Sequence, residues 1–236
     1  MLVASQRRVI PMRSAEHVQS RVRAKVESLV GWRSRLLLIG KSMGVVLVLA
    51  VGGMAVWSSA GYVKLPYELF VLQQRLPAVF RIHMAASGLA LILITVTLLL
   101  RGRPNLHRQV GRFAGVCVVI GGLTALPSAI MSEATLVART GFFAQGCVWL
   151  GLFGAGIVAI RAGRPIGHQR IMLAMAAVAS GAIWLRFATM LCGVLQLPFD
   201  LVYASTAWLS WLAPMGIVWL LFAMHDARPR ATHAGR

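Results

Sequence analysis

The stretch AVFRIHMAASGLALILITVTLLLRGRPNLHRQVGRFAGVCVVIGGLTALPSAIM, residues 78–131, decides the fold. It consists of two apolar blocks, 78 to 100 and 112 to 131, joined by one short basic turn. A bilayer core about 30 Å thick takes about 20 helical residues at ~1.5 Å each, so this is a pair of membrane-spanning helices. Four further blocks have the same character, at 36 to 57, 141 to 160, 170 to 192 and 205 to 223. The expected fold is an all-α integral membrane bundle of six transmembrane helices. Residues 1–35 would form a basic arm, 36–224 the membrane domain and 225–236 a basic tail.

Composition supports this reading and removes its rivals. The chain carries 24 Lys and Arg against 6 Asp and Glu, a formal charge of +18 that would ordinarily suggest nucleic acid. Only 13% of residues are charged, however, and 58% are hydrophobic. A soluble domain of this size could not hide so much apolar surface. The basic residues also follow topology. Eight lie in the N-terminal arm, four in the second connection (Arg101, Arg103, Arg108, Arg112), three in the fourth (Arg161, Arg164, Arg170) and three in the tail. The other side has Lys64, Arg75, Arg81 and Arg139. The positive-inside rule then places both termini in the cytoplasm. No nucleic-acid partner is needed to explain the arginines.

The first 35 residues are too long and too charged for the leading region of a cleaved signal, so the first block is expected to stay as a span. Between Ser14 and Val30 apolar residues recur at helical spacing, with Arg21, Arg23 and Lys25 on other faces. This pattern predicts an amphipathic helix on the inner leaflet, held by anionic lipids. Glycines 111, 115, 121, 122, 146, 151, 154 and 156 suggest close helix packing. Cys117, Cys147 and Cys192 read as small core residues, although a Cys147–Cys192 disulfide is conceivable from their depth.

The second and fourth connections share a spelling. Gly102-Arg103-Pro104-Asn105-Leu106-His107 and Gly163-Arg164-Pro165-Ile166-Gly167-His168 are both G-R-P-x-x-H, which points to a parallel repeat of two hairpins. Together with His83, the H-R-x-x-G-R turn of His107, Arg108, Gly111 and Arg112, the His168 and Met172 pair, and Arg186, these motifs resemble the bacterial multi-span family catalogued as domain of unknown function 2306. The resemblance covers roughly residues 80 to 190. It implies a polytopic protein of the bacterial cytoplasmic (inner) membrane and carries no activity with it.

The acidic residues are Glu16, Glu27, Glu68, Glu133, Asp200 and Asp226, all in tails, loops or span ends. Without a mid-membrane carboxylate, a di-iron site, an aspartyl protease or a carboxylate proton relay has no support. Zincin, nucleophile-elbow and phosphate-loop motifs are missing too, and the reading leans away from an enzyme. One polar layer stands out. Arg186 lies 16 residues beyond Arg170, Gln145 16 before Arg161 and Ser128 16 after Arg112, each ~24 Å from the inner edge; His83 lies 18 before Arg101, ~27 Å. The functional reading is a ligand pocket in the outer leaflet, where Arg186 grips an anionic or carbonyl group, His83 exchanges a proton, and Gln145 and Ser128 orient the ligand. A quinone head, a haem propionate or a lipid phosphate would suit. The competing reading is internal, with Arg186 capping backbone carbonyls, pairing with Glu133 or snorkelling to lipid phosphates.

At the inner face, His107 and His168 sit at matching depth, as two ligands of a single haem b iron would. Their neighbours Arg108, Arg112 and Arg170 favour contact with lipid phosphate instead. No metal site is expected. Two functions stay open, a ligand-binding or redox-associated (quinone or haem) membrane subunit and a transporter of small molecules or lipid, with a purely structural accessory subunit of a larger membrane complex as the further alternative. The topology has a direct check. Reporter fusions after Arg103, Arg164 and Arg236 should read cytoplasmic and one after Leu197 periplasmic; a periplasmic signal at Arg164 would break the six-span arrangement.

Overall fold

The computed structural model describes residues 12–62, 65 and 67–227. Expectations that fall on Arg7, Arg8, Lys64 and the basic tail from residue 228 lie outside them. Among the described residues there are eight α-helices and no strand: α1 (Met12–Ser59), α2 (Tyr67–Arg75), α3 (Pro77–Leu99), α4 (Pro104–Met131), α5 (Leu136–Arg161), α6 (Pro165–Ala179), α7 (Gly181–Leu195) and α8 (Phe199–Asp226). Six segments are long and apolar enough to cross a membrane, namely Leu38–Ser59, Pro77–Gly102, Pro104–Met131, Leu136–Arg161, Pro165–Leu195 and Phe199–Asp226. The chain divides into two compact units, Met1–Val46 and Leu47–Arg236. Helix α1 is continuous, so Ser14–Val30 and the first span belong to one helix.

Prolines open three spans at the first helical turn, where the missing N–H costs nothing: Pro77, Pro104 and Pro165. Polar exposure is inverted relative to a soluble bundle. Phe113, Val158 and Leu209 are more than 60% exposed, as residues facing hydrocarbon must be. The interior is built around Ala90 and Ile94 of α3, Ala114 and Val118 of α4, Trp149 of α5, Met175 and Val178 of α6 and Trp211 of α8. Helices α3 and α4 form the most extensive pair, α5 packs on both α4 and α6, and α8 packs on α5, α6 and α7.

Lipid supplies no hydrophobic drive between helices, so close backbone approach has to hold the bundle. A Cβ at Gly121 would stand 2.7 Å from Ser87 Oγ and 3.2 Å from the Ser87 backbone nitrogen, which brings α4 directly against α3. Gly52 of α1 and Gly88 of α3 meet backbone to backbone, and a Cβ at Gly88 would fall 2.6 Å from the Gly52 carbonyl oxygen. Gly115, Gly122, Gly146 and Gly156 also receive neighbours. Gly151 and Gly154 do not: nothing lies within 4 Å of either, so those two face outward and the packing role expected for them is absent. The three cysteines are free, with Cys147 exposed and Cys192 buried, and the conceivable disulfide is not formed.

The two G-R-P turns have the same local geometry after different endings. Arg103 (φ −125°, ψ 83°) and Arg164 (φ −105°, ψ 73°) each precede the N1 proline, and each accepts a backbone bond from its histidine, His107 N and His168 N, at 2.9 Å. Ahead of them, α3 ends in a 3₁₀ turn, Leu100–Gly102. Helix α5 instead ends on Gly163 at φ 68°, with Gly163 N bonded to Ile160 O and Arg164 N to Ala159 O, the Schellman pattern.

The fifth span departs from the expected single helix. It is interrupted at Ser180, between α6 and α7. No proline is involved; the local sequence is Ala179-Ser180-Gly181, a small-residue pair of the kind that kinks helices. The glycine contacts give a paired test. Gly88→Val should lower the thermal midpoint of the detergent-solubilised protein through an overpacking cost of about 1–3 kcal/mol. Gly154→Ala, which meets nothing, should leave it unchanged or raise it by up to about 1 kcal/mol of helix propensity.

Candidate functional site

His83 and Arg186 line one cleft. It is a small cleft of about 80 Å³, walled by Val51, Gly52 and Ala55 of α1, His83, Met84, Ser87, Gly88 and Leu91 of α3, and Ala182 and Arg186 of α7. Helical spacing explains the set: 83, 87 and 91 stack on one face of α3, as 182 and 186 do on α7. Gly52 and Gly88 contribute backbone rather than side chain, so the walls are apolar apart from His83, Ser87 and Arg186.

The imidazole is oriented from outside the cleft. His83 Nδ1–H donates to the Gly121 carbonyl of α4 at 3.0 Å, and the Ser87 and Thr124 hydroxyls lie 3.4 and 3.5 Å from the same nitrogen. That bond depends on the close α3–α4 approach that glycine at 121 permits. In the neutral ring it fixes the tautomer, with the proton on Nδ1 and the lone pair on Nε2. His83 is thereby a hydrogen-bond acceptor through Nε2.

Arg186 supplies the complementary character. One guanidinium nitrogen, Nη1, donates to the Ala182 carbonyl one turn back at 2.9 Å. Tyr203 of α8 lies within electrostatic reach of the guanidinium. Among the described residues no carboxylate pairs with Arg186. Glu133, the partner considered from sequence, is ion-paired with Arg75. A cation in a low-dielectric setting, with donors left over in its planar fork, attracts carbonyl or anionic oxygens.

The other two residues of the polar layer do not line the cleft. Ser128 is buried and donates to the Thr124 carbonyl of its own helix at 2.8 Å. Gln145 reaches across to α6, where Nε2 donates to the Val178 carbonyl at 3.2 Å. Trp208 and Trp211 are held by Val137 O and Ala207 O, both acceptors away from the cleft. Sequence depth was blind to Ser87, Gly121 and Thr124, which surround the His83 ring; a small or hydroxylated residue on a span carries no signal of which neighbour it meets.

At the basic end, both repeat histidines behave alike. His107 Nδ1–H donates to the Thr97 carbonyl at 2.9 Å and His168 Nδ1–H to the Gly156 carbonyl at 2.8 Å, each tying the first turn of a helix to the helix before it. Arg108 and Arg112 are exposed. Arg170 is taken by Asp226 in a two-pronged pair, Nη1–Oδ2 2.7 Å and Nη2–Oδ1 2.6 Å, with Phe222 under the guanidinium at 5.4 Å. This pair clamps α6 to α8, so Arg170 is engaged within the protein and not only with lipid. No group of three or more His, Cys, Asp or Glu suited to a metal ion occurs among the described residues.

Comparison with known proteins adds one result. A family model described as predicted membrane protein, DUF2306, matches residues 80–222, from α3 through most of α8. No curated protein and no solved structure matches.

The latch geometry of the two histidines has its own test. His107→Phe and His168→Phe should each destabilise the bundle by about 0.5–1.5 kcal/mol, the net contribution of one hydrogen bond between helices. Since they sit on separate hairpins, their effects on the thermal midpoint should add. Histidines sharing one haem iron would instead give a double variant no worse than either single one.

Proposed function

The chain belongs to the family catalogued as domain of unknown function 2306, integral membrane proteins, and from the cleft in its six-span bundle we propose that it binds a membrane-dissolved ligand whose polar head is a quinone or quinol ring. The observation that carries this reading is the juxtaposition of His83 and Arg186 in one largely apolar cleft. Nε2 of His83 accepts, and the guanidinium of Arg186 donates. The quinol form satisfies both, one hydroxyl donating to Nε2 while the oxygen of the other accepts from the guanidinium, whereas the quinone form engages Arg186 alone; the apolar tail matches Val51, Met84 and Leu91. Binding sites of this kind are mainly apolar, with a few convergent polar groups that set orientation. In this reading both termini are cytoplasmic, the protein resides in the bacterial inner membrane, and the exposed arginines of the second connection rest on anionic lipid headgroups.

A second reading, transport of such a ligand across the bilayer, draws support from the interrupted fifth span, whose outer half contributes Ala182 and Arg186 to the cleft wall. Interrupted helices commonly border substrate sites in transporters.

Decylubiquinol, kept reduced under anaerobic conditions and titrated into the purified protein, tests the first reading. One equivalent should bind. Arg186→Ala and His83→Ala should each weaken binding by about tenfold or more, the loss expected for a hydrogen bond involving a charged or desolvated partner. The double variant should be little worse than either single one, because both residues hold the same ring. Equal affinity in the wild type and both single variants would overturn the assignment. Movement of the quinol between leaflets of proteoliposomes, lost in Arg186→Ala, would favour transport.

A further inference from the structure

We propose that Gln145 is a positioning residue that sets the angle of α7, and with it the placement of Arg186 in the cleft; the inference rests on reading that cleft as the ligand site. In an unbroken helix the carbonyls of Ala177 and Val178 would accept from the N–H groups of Gly181 and Ala182. Here Ala177 O accepts from Ser180 Oγ at 2.7 Å and Val178 O from Gln145 Nε2 at 3.2 Å. The helix restarts through the tighter bond Ile183 N to Ser180 O at 2.8 Å. Two of the carbonyls released by the break thus have side-chain donors, one from within the span and one from α5. In hydrocarbon neither could turn to water, so the break persists only while those donors are in place.

The sequence around the break is fitted to the amide. A Cβ on residue 181 would stand 2.7 Å from Gln145 Nε2 and 3.2 Å from Trp211 Cβ, so glycine there leaves room for the amide in its present place. Ser210 of α8 closes the far side, 3.4 Å from the same point, with a buried hydroxyl that has no partner among the described residues. Its carbonyl is also released, since Pro214 has no N–H to give it. Gln145 therefore sits between two interrupted helices. The consequence reaches the cleft in one turn: Ala182 is the second residue of α7 and lines the wall, and its carbonyl holds Nη1 of Arg186. Gln145 does not line the cleft, so its influence on a ligand is indirect.

Gln145→Leu keeps the bulk and removes the donor. Val178 O then regains the Ala182 N–H, the fifth span straightens, and Arg186 shifts from its place. Hydrogen–deuterium exchange at the Gly181 and Ala182 amides should slow by about tenfold, and decylubiquinol affinity should fall by about five- to tenfold, the factor one hydrogen bond carries. Gly181→Ala, which displaces the amide from the other side, should weaken decylubiquinol binding similarly, whereas Gly193→Ala, which meets nothing within 4 Å, should change neither readout. Unchanged exchange in Gln145→Leu overturns the inference, as does altered exchange with wild-type affinity. Should the wild type bind no decylubiquinol, the ligand reading of the cleft falls, and the amide exchange alone decides whether Gln145 holds the break.

Discussion

A backbone carbonyl without a donor is the costliest thing a chain can carry into a bilayer, because no water is there to replace the missing N–H. A side-chain donor in the bilayer is under the same constraint, and most of the polar side chains inside this bundle meet it on backbone carbonyls. His83, His107 and His168 each spend one ring nitrogen on a carbonyl of a neighbouring helix, and Gln145 does the same with its amide. Thr95, Thr97, Thr189 and Ser128 turn back on carbonyls of their own helices. Arg186 follows suit with one nitrogen. Such bonds serve architecture first. What separates His83 and Arg186 from the rest is that both border the same cleft, with polar capacity left after the structural bond is made.

The three histidine bonds form a pattern across the pairs. In α3–α4 the ties run both ways, His83 of α3 reaching α4 near one end and His107 of α4 reaching α3 near the other. In α5–α6 a tie exists at the basic end, through His168, and the C-terminal half of the span has separated into α7. The α3–α4 pair is thus fastened along its length, while the fifth span is fastened below its break by His168 and by the Arg170–Asp226 clamp. Rigid and adjustable walls of the cleft come from these two kinds of pair: α3 brings His83 in a fixed pose, and α7 brings Arg186 on the far side of a break.

Much of this was legible in the residues. Apolar block lengths gave the six spans, and the G-R-P-x-x-H spelling gave two turns whose geometry agrees to within about 20° in φ. Depth arithmetic put His83, Ser128, Gln145 and Arg186 at one height, and that is all such arithmetic can supply. Height says nothing about azimuth, so Ser128 and Gln145 share a level with the cleft yet look elsewhere. Glycine counts have the same weakness: Gly146 and Gly156 touch neighbouring helices while Gly151 and Gly154 face outward. The break at Ser180 left no trace in hydropathy because Ala-Ser-Gly is as compatible with a straight span as with a kinked one. Its decisive partner, Gln145, lies 35 residues away in sequence on another helix.

The duplicated turns also show how identical letters can carry unequal obligations. Gly102 closes a 3₁₀ turn in open space, with an ordinary backbone that any residue adopts, so its letter is free to drift. Gly163 holds a left-handed φ of 68°, where a side chain is strained, and two backbone bonds close around it. If one ancestral hairpin was copied to make two, the copies have since diverged in what they demand of the same position: one spelling has become inherited habit, and the other is still enforced by geometry.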